Sequence, residues 1–150
     1  MSPTIAELEL QHSQLQLPSI DLDDAWRLGS LIVTVARERG LAVTVDLRHG
    51  EQQAFHAALP GTSADNDDWI RRKAAVVRRF GEASYLVGER YRRKGRPFDL
   101  DPARYAAHGG SFPLLVRGTG PVGTVTVSGL PQLDDHLLVT ECLARFLADR

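Results

Sequence analysis

The apolar residues of the chain follow two repeating patterns, and each predicts a different kind of element. An apolar residue every three or four positions is typical of an amphipathic helix, and this spacing occurs over residues 5–12, 22–36, 69–80, 85–91 and 133–147. An apolar residue at every second position is typical of a strand, and this spacing occurs over residues 15–17, 41–47, 52–59, 112–116 and 122–128. Helices and strands are therefore predicted along the whole chain.

Capping residues and glycines indicate where the helices begin and end. Asp21 can cap the second helix, and Gly40 can adopt the left-handed backbone that ends it. Either Ser63 or Asp65 can cap the third helix. The buried stripes are predicted to include Leu22 and Trp26 in the second helix and Leu137 in the last one.

The order of the elements predicts the fold class. The two pairs of strands at 41–59 and 112–128 are joined by loops that are too short for a parallel crossover, so each pair should form an antiparallel hairpin. We expect an α+β domain with a four- to five-stranded, mainly antiparallel sheet and helices packed on it. Residues 1–14 are predicted to form an N-terminal helical extension, and residues 15–150 a single domain.

Composition narrows the class of function only slightly. The 150 residues are 43% hydrophobic and 25% charged with a formal net charge of -1, which is typical of a globular protein and favours neither nucleic acid nor membrane partners. Cys142 is the only cysteine, so neither an internal disulfide nor a paired-cysteine metal site can form. With no export signal or membrane-spanning segment recognised in the sequence, we expect a cytoplasmic protein.

Four segments in the second half of the chain together form a recognisable signature. They are LPGTSADNDDWI at 59–70, YAAHGGSFP at 105–113, VGTVTVSGL at 122–130 and DDH at 134–136. In this combination and order the sequence resembles the haem-degrading-domain family, and in particular its UPF branch, which is related to the GlcG and HbpS proteins. The resemblance extends over nearly everything from about residue 15 onward.

The resemblance implies a profilin-like domain with α/β/α layers that associates into homodimers and larger rings. It implies function less narrowly, because some relatives bind haem or take part in its breakdown, others accompany glycolate or corrinoid metabolism, and a eukaryotic relative acts in the delivery of tail-anchored proteins. Haem is the cofactor that this resemblance suggests for a homo-oligomeric small-ligand-binding protein.

The candidate ligand site centres on His108. Haem iron accepts a histidine ligand, and a flat ring with propionates suits an apolar pocket with a few cationic groups. The predicted ligand-binding residues are Arg72, Lys73, Tyr105, His108, Gly109, Gly110 and Ser111, with His108 as the ligand to the iron. The alternative is that His108 only caps the turn and that Gly109 and Gly110 serve its backbone.

Lys73 lies on the apolar face of the third helix and has two interpretations. Its stem can cover apolar surface while the amine reaches water. Alternatively, the amine faces a pocket or a subunit contact. The sequence alone leaves both open.

Other reactive residues indicate no established enzyme class. His136, which follows Asp134 and Asp135, is interpreted as a packing or surface histidine. Cys142 lies beside apolar residues in a predicted helix and is interpreted as a small buried side chain. Ser111 lacks the flanking glycine pattern of a hydrolase nucleophile. The glycines of residues 118–123 precede neither a helix nor the lysine of a phosphate-binding loop, so hydrolase and nucleotide-hydrolase chemistry are both unsupported.

The basic residues 90–96 suggest an alternative function. A non-enzymatic oligomeric scaffold or adaptor would present this surface to an acidic protein partner, with Arg92 and Arg93 as contact residues. Nucleic acid is not expected as a partner, because one basic cluster in a chain of net charge -1 has no accompanying reading motif.

Overall fold

Five helices and five strands follow one another in residues 2–150, the part of the chain that the computed structural model describes. The helices are α1 (Ile5–Gln14), α2 (Leu22–Glu38), α3 (Ala64–Phe80), α4 (Ser84–Arg93) and α5 (Gln132–Ala148). The strands are β1 (Gln16–Leu17), β2 (Thr44–His49), β3 (Gln52–Ala58), β4 (Ser111–Val116) and β5 (Gly120–Ser128). No helix within these residues is long and apolar enough to cross a membrane.

The strands form one mixed sheet in the order β1-β4-β5-β2-β3. The two predicted hairpins are present, and β5 joins them by pairing antiparallel to both β4 and β2. The short edge strand β1 is the exception, because it pairs parallel to the end of β4. The predicted α+β class with a mainly antiparallel sheet of four or five strands is therefore confirmed.

The two faces of the sheet differ in chemistry. Alternate residues of the central strands are valine, leucine or phenylalanine, and these pack with α2 and α5 in the main hydrophobic core. The residues between them are mostly hydroxyl or carboxyl side chains, and α3 packs over this face. This buried polar set comprises Thr44, Asp46, Ser111, Thr124, Thr126 and Ser128. Helices thus cover both faces, which produces the α/β/α layers.

Reciprocal caps begin the two helices on either side of the first hairpin. At α2, Asp21 Oδ1 accepts a hydrogen bond from the Asp24 N–H at 2.7 Å, and the Asp24 carboxylate accepts one from the Asp21 N–H at 2.9 Å. At α3 the capping residue is Ser63 rather than Asp65, since the Ser63 hydroxyl accepts from the Asp65 N–H at 3.3 Å. The Ser63 N–H in turn donates to Asn66 Oδ1 at 3.0 Å.

Three predicted core positions are wrong. Trp26 and Leu22 are 63% and 50% exposed, and Leu137 is 42% exposed. The buried line of α2 instead passes through its small residues, where Gly29 lies so close to the Phe55 ring that a Cβ would collide with it. A close helix–sheet approach at Gly29 rotates the larger side chains at the start of the helix towards solvent.

One loop boundary also differs from the prediction. The strand predicted over residues 41–47 ends at residue 47, but Arg48 and His49 continue β2, where they pair with both neighbouring strands. A single turn follows Asp101, in which the Tyr105 N–H donates to the Asp101 carbonyl oxygen at 3.0 Å.

Candidate ligand site

The glycine pair after His108 is held closely between α5 and β5. The Gly109 N–H donates to Gln132 Oε1 at 3.0 Å, and the Gly110 carbonyl oxygen accepts from the Val127 N–H at 2.9 Å. Gly110 has a φ of 138°, and a Cβ there would collide with the Val127 carbonyl oxygen. The two glycines therefore serve the backbone of the turn, and the same turn leaves His108 at the surface beside α3.

His108 and Trp69 form a wall between two neighbouring pockets. Their ring centroids are 5.3 Å apart, and both side chains line both pockets. The smaller pocket, which we call the inner pocket, has a volume of about 260 Å³. It is lined by Asp65, Asn66, Trp69, Lys73, His108, Ser128, Gly129, Leu130, Gln132 and Asp135.

The larger pocket, which we call the arginine pocket, has a volume of about 460 Å³. It combines three guanidinium groups with four aromatic side chains of α3, α4 and the loop after α4. These are Arg72, Arg92, Arg96, Trp69, Tyr91, Phe98 and Tyr105. The Arg72 guanidinium stacks over the Trp69 ring at 4.2 Å and donates to Asp68 Oδ2 at 2.9 Å. Cation–π stacking of this kind gives a pocket that is both flat-walled and positively charged.

The charges around His108 favour its neutral form. Partial burial lowers the pKa of His108, and the positive charges of Lys73, Arg92 and Arg72 lower it further. A neutral imidazole has a free ring nitrogen that can coordinate a metal or accept a hydrogen bond. His108 is therefore available as a ligand at neutral pH.

Lys73 forms a buried ion pair at the base of the inner pocket. Its Nζ lies 3.0 Å from Asp135 Oδ2 and donates to the Val127 carbonyl oxygen at 3.1 Å, and Lys73 and Asp135 are only 3% and 1% exposed. The interpretation in which the amine reaches water is therefore wrong. Burial lowers the pKa of Lys73 and raises that of Asp135, while their mutual attraction opposes both shifts.

The remaining predicted ligand residues do not lie together. Arg72 and Tyr105 are in the arginine pocket, and the Tyr105 hydroxyl accepts from Arg79 at 3.3 Å. Ser111 lines neither pocket, because it is fully buried and its hydroxyl is 2.9 Å from that of Thr126. The predicted site is thus divided by the Trp69–His108 wall, and Ser111 belongs to the sheet.

The two predicted partner-binding arginines also separate. Arg92 lines the arginine pocket and pairs with Glu89 at 2.6 Å. Arg93 pairs with the same carboxylate at 3.3 Å and donates to the Pro3 carbonyl oxygen at 3.1 Å. Arg90 is also paired, with Glu82 at 2.8 Å. Much of the basic cluster is therefore neutralised within the chain, and no observation favours an acidic partner there.

The residues that sequence reasoning missed come from α3 and α5. The sequence pattern placed Trp69 only in a predicted helix and indicated no ligand role for Asp135. The pairing of Asp135 with Lys73 joins positions that are 62 residues apart. The one signal in the sequence for this ion pair was the lysine on an apolar helix face, since a buried charge requires a partner of opposite charge.

Other candidate ligands have structural roles. His136 is buried, lies 2.9 Å from Gln11 Oε1 through Nε2 and stacks on Tyr85 at 5.1 Å. Burial raises the pKa of the Cys142 thiol to about 11, so it is an unreactive thiol. Among residues 2–150 no group of three or more histidine, cysteine, aspartate or glutamate side chains is arranged to hold a metal ion.

The sheet order, the helices on both faces and the paired pockets define a single-sheet α+β protein with a recess between α3 and the start of α5. The chain matches the profile of the haem-degrading proteins described as HbpS-like over residues 20–144 and belongs to that family. The family that the signature segments resemble is thereby confirmed.

Similar proteins support this assignment. A UPF0303 protein of Streptomyces avermitilis is 58% identical over 149 residues, which cover 97% of this chain and 91% of the relative. The crystal structure of the Ybr137w protein superposes with a TM-score of 0.90 at 30% identity and covers 99% of this chain and 90% of that one. A PduOC–haem complex shares the fold, with a TM-score of 0.71 at 17% identity over 84% of this chain and 94% of that one.

Proposed function

We propose that this protein binds haem, or another flat carboxylated ligand, in the arginine pocket with His108 at its edge. The observation that carries the proposal is the convergence of a neutral imidazole, aromatic walls and guanidinium groups on one pocket of about 460 Å³. The description of the family as haem-degrading and the haem complex of a protein with the same fold support this choice of ligand.

The chemistry of the pocket fits a haem. A histidine nitrogen is a common ligand to haem iron, and His108 is exposed beside the aromatic wall. Trp69, Tyr91 and Phe98 offer apolar surface for a ring. Guanidinium groups recognise carboxylates through paired hydrogen bonds, so Arg96 is suited to a propionate. Arg72 and Arg92, which already pair with Asp68 and Glu89, add further N–H donors beside it.

The residues of the chain would bind and orient this ligand and exclude water from one of its faces. When bound, haem would supply the redox chemistry of its iron. His108 would hold the iron, and the arginines would fix the direction of the propionates. Because the pocket contains no side-chain nucleophile, any breakdown of the ring would depend on the cofactor itself.

A spectroscopic titration tests this function. Wild-type protein is expected to shift the Soret band of added haem and to saturate with one haem per chain. His108→Ala should alter the spectrum and weaken binding by at least about tenfold, since an iron–ligand bond is lost. Arg96→Ala should weaken binding while leaving the iron-ligand spectrum unchanged. His56→Ala is the matched control, because His56 is exposed on β3 outside both pockets.

An unshifted Soret band in wild-type protein would remove haem from the proposal. An unchanged spectrum in His108→Ala would show that His108 is not the iron ligand, while the arginine pocket would remain the proposed binding site. The two results are separable because the arginine variant reports on the pocket independently of the iron ligand.

We further propose that the protein is a homo-oligomer that works in the cytoplasm. Exposed apolar side chains on α2, chiefly Trp26 at 63% and Leu22 at 50%, support self-association, because large exposed apolar surfaces commonly mark contacts. Cys142 as a lone, buried thiol is compatible with a reducing compartment.

A further inference from the structure

The inner pocket contains charged and polar side chains that the proposed haem site does not use. Its base is the Lys73–Asp135 pair, and the wall formed by Trp69 and His108 separates it from the arginine pocket. A lysine stem can extend to water from most helix positions. Here the amine is enclosed beside a carboxyl group, and both groups line a pocket.

The Lys73 ammonium group has more N–H donors than acceptors among the described residues. An ammonium group has three N–H donors, and within residues 2–150 two acceptors are in place, Asp135 Oδ2 at 3.0 Å and the Val127 carbonyl oxygen at 3.1 Å. Asp135 is held rigidly, since its second oxygen accepts from the Leu130 N–H at 3.0 Å. The amine is thus positioned at the pocket base with one bonding direction left over.

Other polar groups of the inner pocket suit a small oxygenated compound. The Ser128 hydroxyl accepts from Asn66 Nδ2 at 3.3 Å, so its own proton is left to donate. His108 contributes a ring nitrogen at the boundary with the arginine pocket, and Asp65 lies at the start of α3. The charges facing Lys73 are those of Asp135, Asp65 and Arg72, together with the titratable His108.

We propose that Lys73 is a nucleophilic amine that forms an imine with a small aldehyde or ketone in the inner pocket, with Asp135 as the proton donor. The reaction requires a neutral amine, because only that form has a lone pair that can attack a carbonyl carbon, and desolvation of a buried lysine favours the neutral form. Burial also lowers the pKa of Lys73, which increases the neutral fraction. This proposal does not depend on haem binding.

The steps balance without an oxidant or a reductant. A proton passes from Lys73 to Asp135, and the amine nitrogen bonds to the carbonyl carbon, whose oxygen takes up a proton from the nitrogen. The Asp135 carboxyl group then protonates the resulting hydroxyl, which leaves as water while the nitrogen lone pair forms the carbon–nitrogen double bond. The products are a protonated imine on Lys73, the Asp135 carboxylate and one water molecule.

The sequence provides a matched internal control, because Lys73 and Lys94 are its only lysines and Lys94 is exposed. The haem-free full chain is treated at pH 7 with propanal and sodium cyanoborohydride, which reduces an imine to a stable secondary amine. Peptide mapping by mass spectrometry then follows the labelling rate of each lysine. The same reaction in guanidinium chloride gives the rates when both lysines are accessible.

In the folded protein we expect Lys73 to be labelled faster than Lys94, since burial lowers the pKa of Lys73 and so raises its neutral fraction at pH 7. In guanidinium chloride the two rates should converge. If the ion pair is purely structural, its burial protects Lys73 and the order reverses. Labelling of Lys73 at or below the rate of Lys94 in the folded chain would overturn the proposal.

Two variants separate the nucleophile from the proton donor. Lys73→Arg should abolish the fast label while the label on Lys94 stays at its wild-type rate. Asp135→Asn, if folded by circular dichroism, removes the proton donor for the loss of water and also the attraction that keeps Lys73 protonated. A slower label at Lys73 would therefore identify Asp135 as the donor, and a Lys73 rate equal to or above wild type would remove Asp135 from the reaction. The wild-type competition remains decisive if either variant fails to fold. A haem titration of the same samples reports separately on the arginine pocket.

Discussion

His136 shows how a single buried side chain links stability to pH. Burial lowers the pKa of His136 from 6.5 to about 4, because the charged imidazolium would be desolvated beside Tyr85 and Phe112. In the unfolded chain the ring has its ordinary pKa and takes up a proton at a higher pH. The contribution of this neutral ring to stability is therefore complete above about pH 6.5 and is lost as the pH falls towards 4.

We expect the free energy of unfolding to fall by about 2 kcal/mol from this one group between pH 7 and pH 4.5. Urea unfolding of wild type and of His136→Gln at several pH values measures it, since the variant retains a polar partner for Gln11 but cannot titrate. The difference in stability between the two proteins should shrink as the pH falls. Parallel pH profiles would show that His136 is not the titrating group.

Among the helices and strands, the Lys73–Asp135 ion pair connects α3 to the start of α5 across the polar face of the sheet. Removal of one member of a buried ion pair is destabilising, because the other charge keeps its desolvation cost without its partner. The pair also holds the turn at Leu130 through the second oxygen of Asp135. Its loss should therefore loosen both helices and the inner pocket.

Lys73→Met removes the partner of Asp135, and Asp135→Asn removes the partner of Lys73. Each variant should lower the free energy of unfolding by about 3 to 5 kcal/mol if the remaining group stays charged. The double variant should be less destabilised than the sum of the two, with a coupling of about 1 to 3 kcal/mol. Urea unfolding at pH 7 provides the double-mutant cycle. Strictly additive losses would mean that the two side chains do not depend on each other.

For the whole molecule, the exposed side of α2 is the feature that bears on assembly. Trp26 contacts Phe55 of β3 at 5.6 Å between ring centroids, yet most of its surface remains open. Trp26 lies one helical turn from Leu22, which is also exposed, and exposed apolar patches commonly mark contacts. A second copy of the chain would cover it.

Light scattering after size-exclusion chromatography should give a mass that is a multiple of that of one chain. Trp26→Ser should shift the population towards the single chain if the α2 surface forms the contact. Leu10→Ser on α1, where the leucine is 53% exposed, is the matched control and should leave the mass unchanged. A single-chain mass for wild type at micromolar concentration would contradict self-association.

Sequence reasoning found the elements well because their signals are short-range. Periodicity predicted the helices and strands, and the caps at Asp21 and Ser63 were readable from a few adjacent residues. The orientation of α2 was wrong because the close approach at Gly29 depends on Phe55, which lies on another element. Periodicity identifies an apolar face but does not decide which part of it the sheet covers.

The candidate site was predicted only in part for the same reason. His108 and its glycines were recognisable as a turn within one segment, whereas the wall with Trp69 and the two separate pockets arise only where α3 passes the start of α5. The sequence by itself determined the α+β class and the family, because these depend on local spacing and on short segments of the chain. Only the tertiary structure decided that Lys73 is buried with Asp135 and that Ser111 lies in the sheet, because burial and ion pairing depend on residues that are distant in the chain and adjacent only after folding.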